Sequence, residues 1–305
     1  MDNPFDFQEL REYAFGIVDA AMVEQLPEGL FAEPLVSRRL MQCAHLMPAL
    51  IDLRRTPIAR QKVLLDCLKD SYGNGEAPVV SLFLKSDSSV MEIVRHWNAM
   101  QIAEPQRGRK LWLRLHDPRV LHQMLRILDP MQRRNLFGSS QAFIYWVGGE
   151  WVTAVRQPSS SLDSHVHKNG GVATYAGPAK WNWSRIEWIG LVNRAMLGAG
   201  IVQAAALTTQ GALAEQLIER AVRQYALFEA ADLVEFAIRG LQTHPAFDKH
   251  CEVAHAIRPD AASAGDSNLA DRFALIDNQV WSSLRQPINS SGDSHDDCSN
   301  QVRIL

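Results

Sequence analysis

The stretch Arg109–Tyr145, RKLWLRLHDPRVLHQMLRILDPMQRRNLFGSSQAFIY, decides the fold that we predict for the first half of the chain. Its apolar run, Leu111–Leu115, is typical of a strand. Asp117 and Pro118 follow this run. The aspartate side chain can accept a hydrogen bond from a free amide of the first helical turn, and a proline at the first helical position loses no useful donor. The sequence therefore predicts a strand that turns directly into a capped helix.

The helix after this corner has one apolar face. Its apolar residues recur at helical spacing and are Val120, Leu121, Met124, Leu125 and Leu128. Asp129 and Pro130 repeat the start signal, and Gly138 marks a stop. Ala142–Val147 then has the composition of a buried strand. The stretch thus predicts strand, helix, helix and strand in succession.

Strand and helix signals also alternate in the flanking sequence. The other predicted strands are Tyr13–Met22, Leu46–Leu53, Val79–Leu84 and Trp151–Val155, and the predicted helices are Ile58–Lys69 and Val90–Met100. Strands that are separated by helices of this length are typical of an α/β lobe. We therefore predict an α/β domain over residues 1–157, with a mixed or mostly parallel sheet and flanking helices.

The remainder of the chain predicts a smaller, all-α lobe. Residues 158–180 are rich in serine, glycine and proline and predict a linker or surface loop. Residues 181–285 form the predicted helical lobe, with helices at Trp183–Gln203, Thr208–Arg223, Tyr225–Leu241 and Asp266–Arg285. Residues 286–305 are polar, acidic and serine-rich, and we expect a disordered tail.

The composition predicts a soluble cytoplasmic protein. The formal net charge is −3, so no overall field favours nucleic acid or an anionic membrane. The first residues lack a basic segment followed by an apolar core, so we expect no signal peptide. The longest nearly apolar run, Ala195–Leu207, is too short to cross a bilayer, and we expect no membrane insertion. The four cysteines are scattered, as is usual for reduced thiols of the cytosol.

The sequence contains no familiar catalytic motif, such as Gly-x-Ser-x-Gly or His-Glu-x-x-His. His165 and His167 could place two imidazoles together, but a zinc site needs three or four ligands. A solvent-exposed loop explains these histidines better. The ligand-type residues of Asp293–Cys298 lie in the expected disordered tail. We therefore expect a protein that is not an enzyme and that holds no metal or cofactor.

Two groups of residues are candidates for binding a partner. Arg114 and Arg119 flank Asp117, and they either hold the strand–helix corner as ion pairs or present an arginine to a ligand at the end of the strand. We favour the structural role, although a rigid corner is also a good surface for binding a partner. The second group is Trp181, Trp183 and Trp188, which either pack between the lobes or line a groove for a partner.

The corner also resembles a known protein family. Arg114–Leu121, RLHDPRVL, followed by Leu136-Phe137-Gly138, is similar to the most recognisable element of the type VI secretion effector chaperones, also called adaptors, of Gram-negative bacteria. Position 116 is histidine where that element has an aromatic residue. Weaker similarities occur in the expected order at Tyr13–Met22, His45–Leu53 and Gln224–His250.

The resemblance implies a function in protein recognition. Such an adaptor binds a specific toxic effector, helps load it onto the VgrG spike of the secretion machine, and stays in the producing cell. Two alternatives remain open at this point. One is an enzyme of unrecognised type with a site near Asp117 and Arg119, and the other is a structural subunit of the secretion apparatus.

Overall fold

The computed structural model describes residues 7–103, 111–158, 181–258 and 267–285, and these belong to two compact units. The first unit runs to Ile189 and includes Gln203–Thr208. The second unit takes Gly190–Val202 and continues from Thr209. A sheet with flanking helices builds the first unit, and the region after it is helical. The predicted layout, a sheet-containing lobe followed by a helical lobe, is confirmed. The exact domain boundaries that we predicted stay predictions.

Eight strands are present in the described part of the first unit. Their bounds are β1 Phe15–Val18, β2 Ala32–Pro34, β3 Ala49–Asp52, β4 Leu82–Lys85, β5 Ile102–Ala103, β6 Leu111–Trp112, β7 Ala142–Val147 and β8 Glu150–Val155. Six of them form the main sheet in the order β2-β3-β1-β4-β7-β8, and every neighbouring pair is antiparallel. The strands β5 and β6 form a separate two-stranded ladder.

The antiparallel pairing corrects our prediction of a mixed or mostly parallel sheet. Strands β3 and β4 do run in the same direction, and they are joined by the helix α2 (Ile58–Asn74), as the alternating pattern predicts. However, β1 lies between them and pairs antiparallel with each. The order of strands and helices along the chain predicts that a helix connects β3 to β4. It does not predict that β1 lies between these two strands in the sheet.

Helices cover both faces of this sheet. Leu64 and Leu68 of α2 share one buried cluster with Phe83 of β4 and Trp146 of β7. On the opposite face, the ring of Phe143 in β7 stacks on Phe137, with ring centroids 4.2 Å apart. Because strand side chains alternate between faces, the central strands are buried on both sides. Full burial of each large apolar side chain contributes roughly 1.5–3 kcal/mol.

The predicted helix starts of the first unit are confirmed. The remaining helices here are α1 Phe7–Glu12, α3 Val90–Met100, α4 Pro118–Ile127, α5 Pro130–Phe137 and α6 Trp183–Glu187, with 3-10 helices at Ala20–Gln25 and Arg38–Leu46. Ser89 caps α3 in a capping box with Glu92, and Asp129 does the same for α5. Gly138 ends α5 at φ +58°, where a Cβ atom would lie 2.5 Å from Cε1 of His96. Only glycine fits this position.

The strand predicted at Leu111–Leu115 is shorter than expected. After β6, the amide of Leu113 donates to the carbonyl of Gln101 at 2.7 Å, and the amide of Leu115 turns back to the carbonyl of Leu113 at 2.9 Å. The chain therefore leaves the extended conformation two residues after it begins. Arg114 lies between β6 and the turn at Leu115 and His116, and not at the end of a strand of the main sheet.

The second unit packs around a cluster of aromatic rings. The helices of this region are α7 Ile189–Gly198, α8 Ala204–Tyr225, α9 Ala230–Gln242, α10 Cys251–Ile257, α11 Leu269–Ala274 and α12 Asn278–Leu284, with a 3-10 helix at Phe247–Lys249. The ring of Phe247 lies 4.9 Å from that of Phe236 and 6.2 Å from that of Phe273. Trp281 closes the cluster, with its ring 5.4 Å from Phe273.

Two predicted helices are each divided in two. The segment predicted as Trp183–Gln203 consists of α6 and α7, which are separated at Trp188. The segment predicted as Asp266–Arg285 contains α11 and α12, because the carboxylate of Asp277 accepts a hydrogen bond from the amide of Gln279 at 2.8 Å and starts a new helix.

The predicted linker and tail lie outside the described residues, apart from Pro158. Among the described helices, none combines the length and the apolar character needed to cross a bilayer.

Candidate functional site

A cavity of about 560 Å³ opens at one end of the main sheet. Strand β1 ends at Val18, β7 ends at Val147, and β4 begins at Leu82. Because β4 runs antiparallel to both neighbours, these three strand ends lie at the same edge. The residues Arg114–Arg119, which we call the corner, form one wall of this cavity, and Asp19, Met22, Val79 and Trp146 line the others. We call it the corner cavity.

Asp117 combines two roles at the corner. Its Oδ1 accepts a hydrogen bond from the backbone amide of Arg119 at 3.0 Å, which caps α4 as predicted. The guanidinium of Arg119 binds both carboxylate oxygens, with Nε donating to Oδ1 at 3.0 Å and Nη2 donating to Oδ2 at 2.8 Å. This bidentate pair holds the start of the helix, so the structural role that we favoured for Asp117 and Arg119 has a geometric basis.

Arg114 has a different carboxylate partner from the one we considered. Its Nη2 donates to Oδ2 of Asp19 at 3.4 Å, and its guanidinium lies 5.8 Å from the ring centre of Trp112. Asp19 also caps the 3-10 helix that follows β1, by accepting from the amide of Ala21 at 3.0 Å. The corner is therefore tied to the end of the central strand β1.

His116 is buried in the wall of the cavity between these charges. Its Nε2 lies 3.3 Å from Oδ2 of Asp19, and both ring nitrogens are shielded from solvent. Burial lowers the pKa of His116 to about 4, although the charge of Asp19 acts in the opposite direction. The imidazole is thus neutral at pH 7.

The ionisation of Asp117 is set by its arginine. Burial acts to raise the pKa of this carboxyl, but the hydrogen bonds and the charge of Arg119 outweigh it and hold the pKa below its usual value. Both oxygens of Asp117 are occupied, and both nitrogens of His116 are buried. The guanidiniums of Arg114 and Arg119 are the most exposed charged groups of the corner, and the carboxylate of Asp19 is exposed to a smaller extent.

Helix α4 is anchored by hydrogen bonds from a buried histidine. His122 Nδ1 lies 3.1 Å from the hydroxyl of Tyr145, and Nε2 lies 3.0 Å from Oγ1 of Thr208. Burial lowers the pKa of His122, so its ring is neutral at pH 7. The first bond ties the helix that begins at the corner to β7, and the second ties it to Thr208 at the start of α8.

The three tryptophans lie apart from the residues that line the corner cavity. Trp181 is buried, whereas Trp183 and Trp188 are half-buried. The rings of Trp181 and Trp183 lie 6.0 Å apart, and Nε1 of Trp183 is buried without a hydrogen-bond partner in the described residues. The structure thus brings together Arg114, Asp117 and Arg119 but not the tryptophans. The binding role of each of these residues stays a prediction.

The predicted metal-ligand sequences cannot be located. His165, His167 and Asp293–Cys298 lie outside the described residues. Within the described ranges, no group of three or more histidine, cysteine, aspartate or glutamate side chains is arranged to hold a metal ion.

The sequence reasoning missed two residues of the site, Asp19 and His116. Asp19 lies far from the corner along the chain, so only the folded structure shows that it faces Arg114. For His116 a signal was present, since it stands where the family element has an aromatic residue and therefore occupies a buried position.

A comparison with protein families finds a match that includes the corner. Residues 14–135 match the family model Domain of unknown function (DUF4123). The DUF4123 match contains Asp19 and all of Arg114–Arg119, whereas the three tryptophans and the helices from α6 onward lie outside it. No curated protein and no solved structure matches the chain.

Proposed function

We propose that this protein is a non-enzymatic adaptor that acts in the cytoplasm of a Gram-negative bacterium. It binds one toxic effector of a type VI secretion system and helps load that effector onto the VgrG spike. A DUF4123 domain suggests an adaptor of this kind. The resemblance of Arg114–Leu121 to the adaptor element leads to the same function.

One observation carries the proposal: the residues that resemble the adaptor element form a rigid surface with charged groups facing solvent. The corner is held by the cap and the bidentate pair of Asp117, by the contact of Arg114 with Asp19, and by the anchoring of α4 through His122. A surface that is already ordered loses little conformational entropy when a partner binds. Rigidity at a solvent-facing corner therefore supports a role in recognition.

The geometry favours binding over catalysis at this corner. An enzyme would need an acid or base within hydrogen-bond reach of a substrate. The nitrogens of His116 are buried, and the oxygens of Asp117 are both held by Arg119. These contacts support binding rather than catalysis as the role of His116 and Asp117.

Affinity purification followed by mass spectrometry tests the proposal. The tagged protein is expressed in its own cells, under conditions in which the secretion system is produced, and an untagged strain is the control. We expect strong enrichment of one toxin-like protein, with or without the spike protein. Recovery of no stable partner while the secretion system is expressed would contradict the proposal.

A further inference from the structure

The charges at the corner are distributed unevenly between the buried and the exposed side. The side chain of Asp117 is 9% exposed, whereas that of Arg119 is 61% exposed. Arg114 is 47% exposed and its partner Asp19 is 33% exposed. Each guanidinium is thus more exposed than its carboxylate partner, most clearly at Arg119, so a ligand at this surface meets the arginines first.

The two guanidiniums keep hydrogen-bond donors for a ligand. Arg119 uses Nε and Nη2 on Asp117, and Arg114 uses only Nη2 on Asp19. The contacts of the described residues leave Nη1 of Arg119, and Nε and Nη1 of Arg114, without a hydrogen-bond partner. A carboxylate is the side-chain group that best matches such planar donors.

A buried histidine also lines the cavity wall. The side chain of His116 is almost completely buried, and its Nε2 lies 3.3 Å from the carboxylate of Asp19. Its ring is uncharged at pH 7, so the two guanidiniums are the groups of this wall that attract an anion.

The rest of the lining is largely apolar. Met22, Val79 and Trp146 are among the other residues that line the cavity. They offer apolar contact to an uncharged part of a ligand. A peptide with an acidic side chain beside an apolar one satisfies both kinds of lining residue, whereas a small inorganic anion satisfies only the charged kind.

We propose that the corner cavity binds an acidic segment of the partner protein, whose carboxylate lies against Arg114 and Arg119 while a neighbouring apolar side chain contacts Met22 and Trp146. This inference rests on the proposed function, because it identifies the chemistry by which the cargo is recognised. The same charges also accelerate association with an acidic partner, and salt reduces this effect.

Charge reversal at the corner tests the inference on the purified complex. Once the wild-type chain has captured its cargo, affinity is measured for wild type, for Arg114→Glu and for the double variant Arg114→Glu, Arg119→Glu. The single variant leaves the Asp117 cap intact, so it remains informative if the double variant is unstable. Arg223→Glu, at an exposed arginine of α8 in the second unit, is the matched control.

We expect Arg114→Glu to weaken binding by tenfold or more, with a reduced dependence on salt, and Arg223→Glu to change it by less than twofold. A photo-crosslinker at Met22 should label a cargo segment that contains aspartate or glutamate. Changing those acids to arginine should restore binding to the Arg114→Glu variant.

Two results would overturn the inference. They are an affinity of Arg114→Glu within twofold of wild type and a crosslinked segment without acidic residues. Each leaves the proposed function standing, because a cargo was captured. Failure of the wild-type chain to capture any cargo would instead contradict the proposed function itself.

Discussion

The two units each contain an arginine–aspartate pair with a buried carboxylate, and the pairs differ in how far the arginine is enclosed. Asp117 and Asp248 are both buried, and each is held by a guanidinium at 2.8–2.9 Å. Arg220 is only 26% exposed, whereas Arg119 is 61% exposed. The same two residue types are therefore used at two different depths.

The pair of Arg220 and Asp248 belongs to the core of the second unit because further residues bind to both members. Arg220 also donates to the carbonyl of Pro245 at 2.6 Å, and the hydroxyl of Tyr225 donates to Asp248 at 2.9 Å. Burial and the hydrogen bond to Asp248 raise the pKa of Tyr225 to about 12. An enclosed pair of this kind locks helices together, while a pair whose arginine is exposed stabilises a surface and leaves donors on it.

The strongest test of this comparison is removal of the enclosed carboxylate. Asp248→Ala removes the carboxylate that Arg220 and Tyr225 share, and we expect a loss of about 3 kcal/mol in the free energy of unfolding. Glu219→Ala, which removes the carboxylate of an exposed i,i+4 pair with Arg223 on α8, is the control. We expect it to cost less than about 0.5 kcal/mol. Urea unfolding measures the free energy of both variants. Equal losses would show that the enclosed pair is no more important for stability than an exposed one.

The second prediction is that His116 at the corner makes the stability of the protein depend on pH. The pKa of His116 is lowered from about 6.5 to about 4 in the folded protein, so the unfolded chain binds more protons between these values. Stability from this group is complete above pH 6.5 and decreases as the pH falls towards 4, by at most about 3 kcal/mol.

His116→Phe removes this titration and keeps an aromatic side chain in the buried position. We expect the unfolding free energy of the variant to fall less steeply than that of wild type between pH 6.5 and 4. Chemical unfolding at several pH values measures the two profiles. Parallel profiles would show that His116 does not titrate as its burial requires.

The smallest expected change in stability is the contribution of the Asp117–Arg119 ion pair, which a comparison of two helix caps distinguishes from the contribution of the cap. Asp117→Ala removes both, and Asp129→Ala removes only a cap in the same Asp-Pro context. We expect the first change to cost about 1–2 kcal/mol and the second about 1 kcal/mol, because the exposed pair adds little. Thermal unfolding of the two variants measures the difference. A cost for Asp117→Ala as large as that for Asp248→Ala would show that the two pairs are equivalent.

The parts of the fold that sequence predicted are those whose signals are local. The caps at Asp117 and Asp129 and the stop at Gly138 depend on side chains within a few residues. The order of the strands was not predictable in this way, because the insertion of β1 between β3 and β4 depends on contacts between distant segments. Strand β2 was missed as well, since an edge strand that contains Glu33 and Pro34 has no apolar alternation.

In the candidate site, too, the residues with local sequence signals were predicted and those that depend on tertiary contacts were not. Arg114, Asp117 and Arg119 were found because the helix-start signal and the family resemblance coincide there. Asp19 and the ionisation state of His116 were not found, because they depend on tertiary packing. The division of Asp266–Arg285 was missed because the apolar spacing continues through Asp277, while the cap by which Asp277 starts the second helix depends on backbone geometry.

Native mass spectrometry of the tagged chain, purified gently from its own cells, tests the central claim most directly, because it reports both the identity and the number of partners. An adaptor predicts a discrete complex of this chain with one effector, and loss of that complex in the Arg114→Glu, Arg119→Glu variant. The chain alone, or a symmetric assembly of its own copies with no other protein bound, would contradict the account.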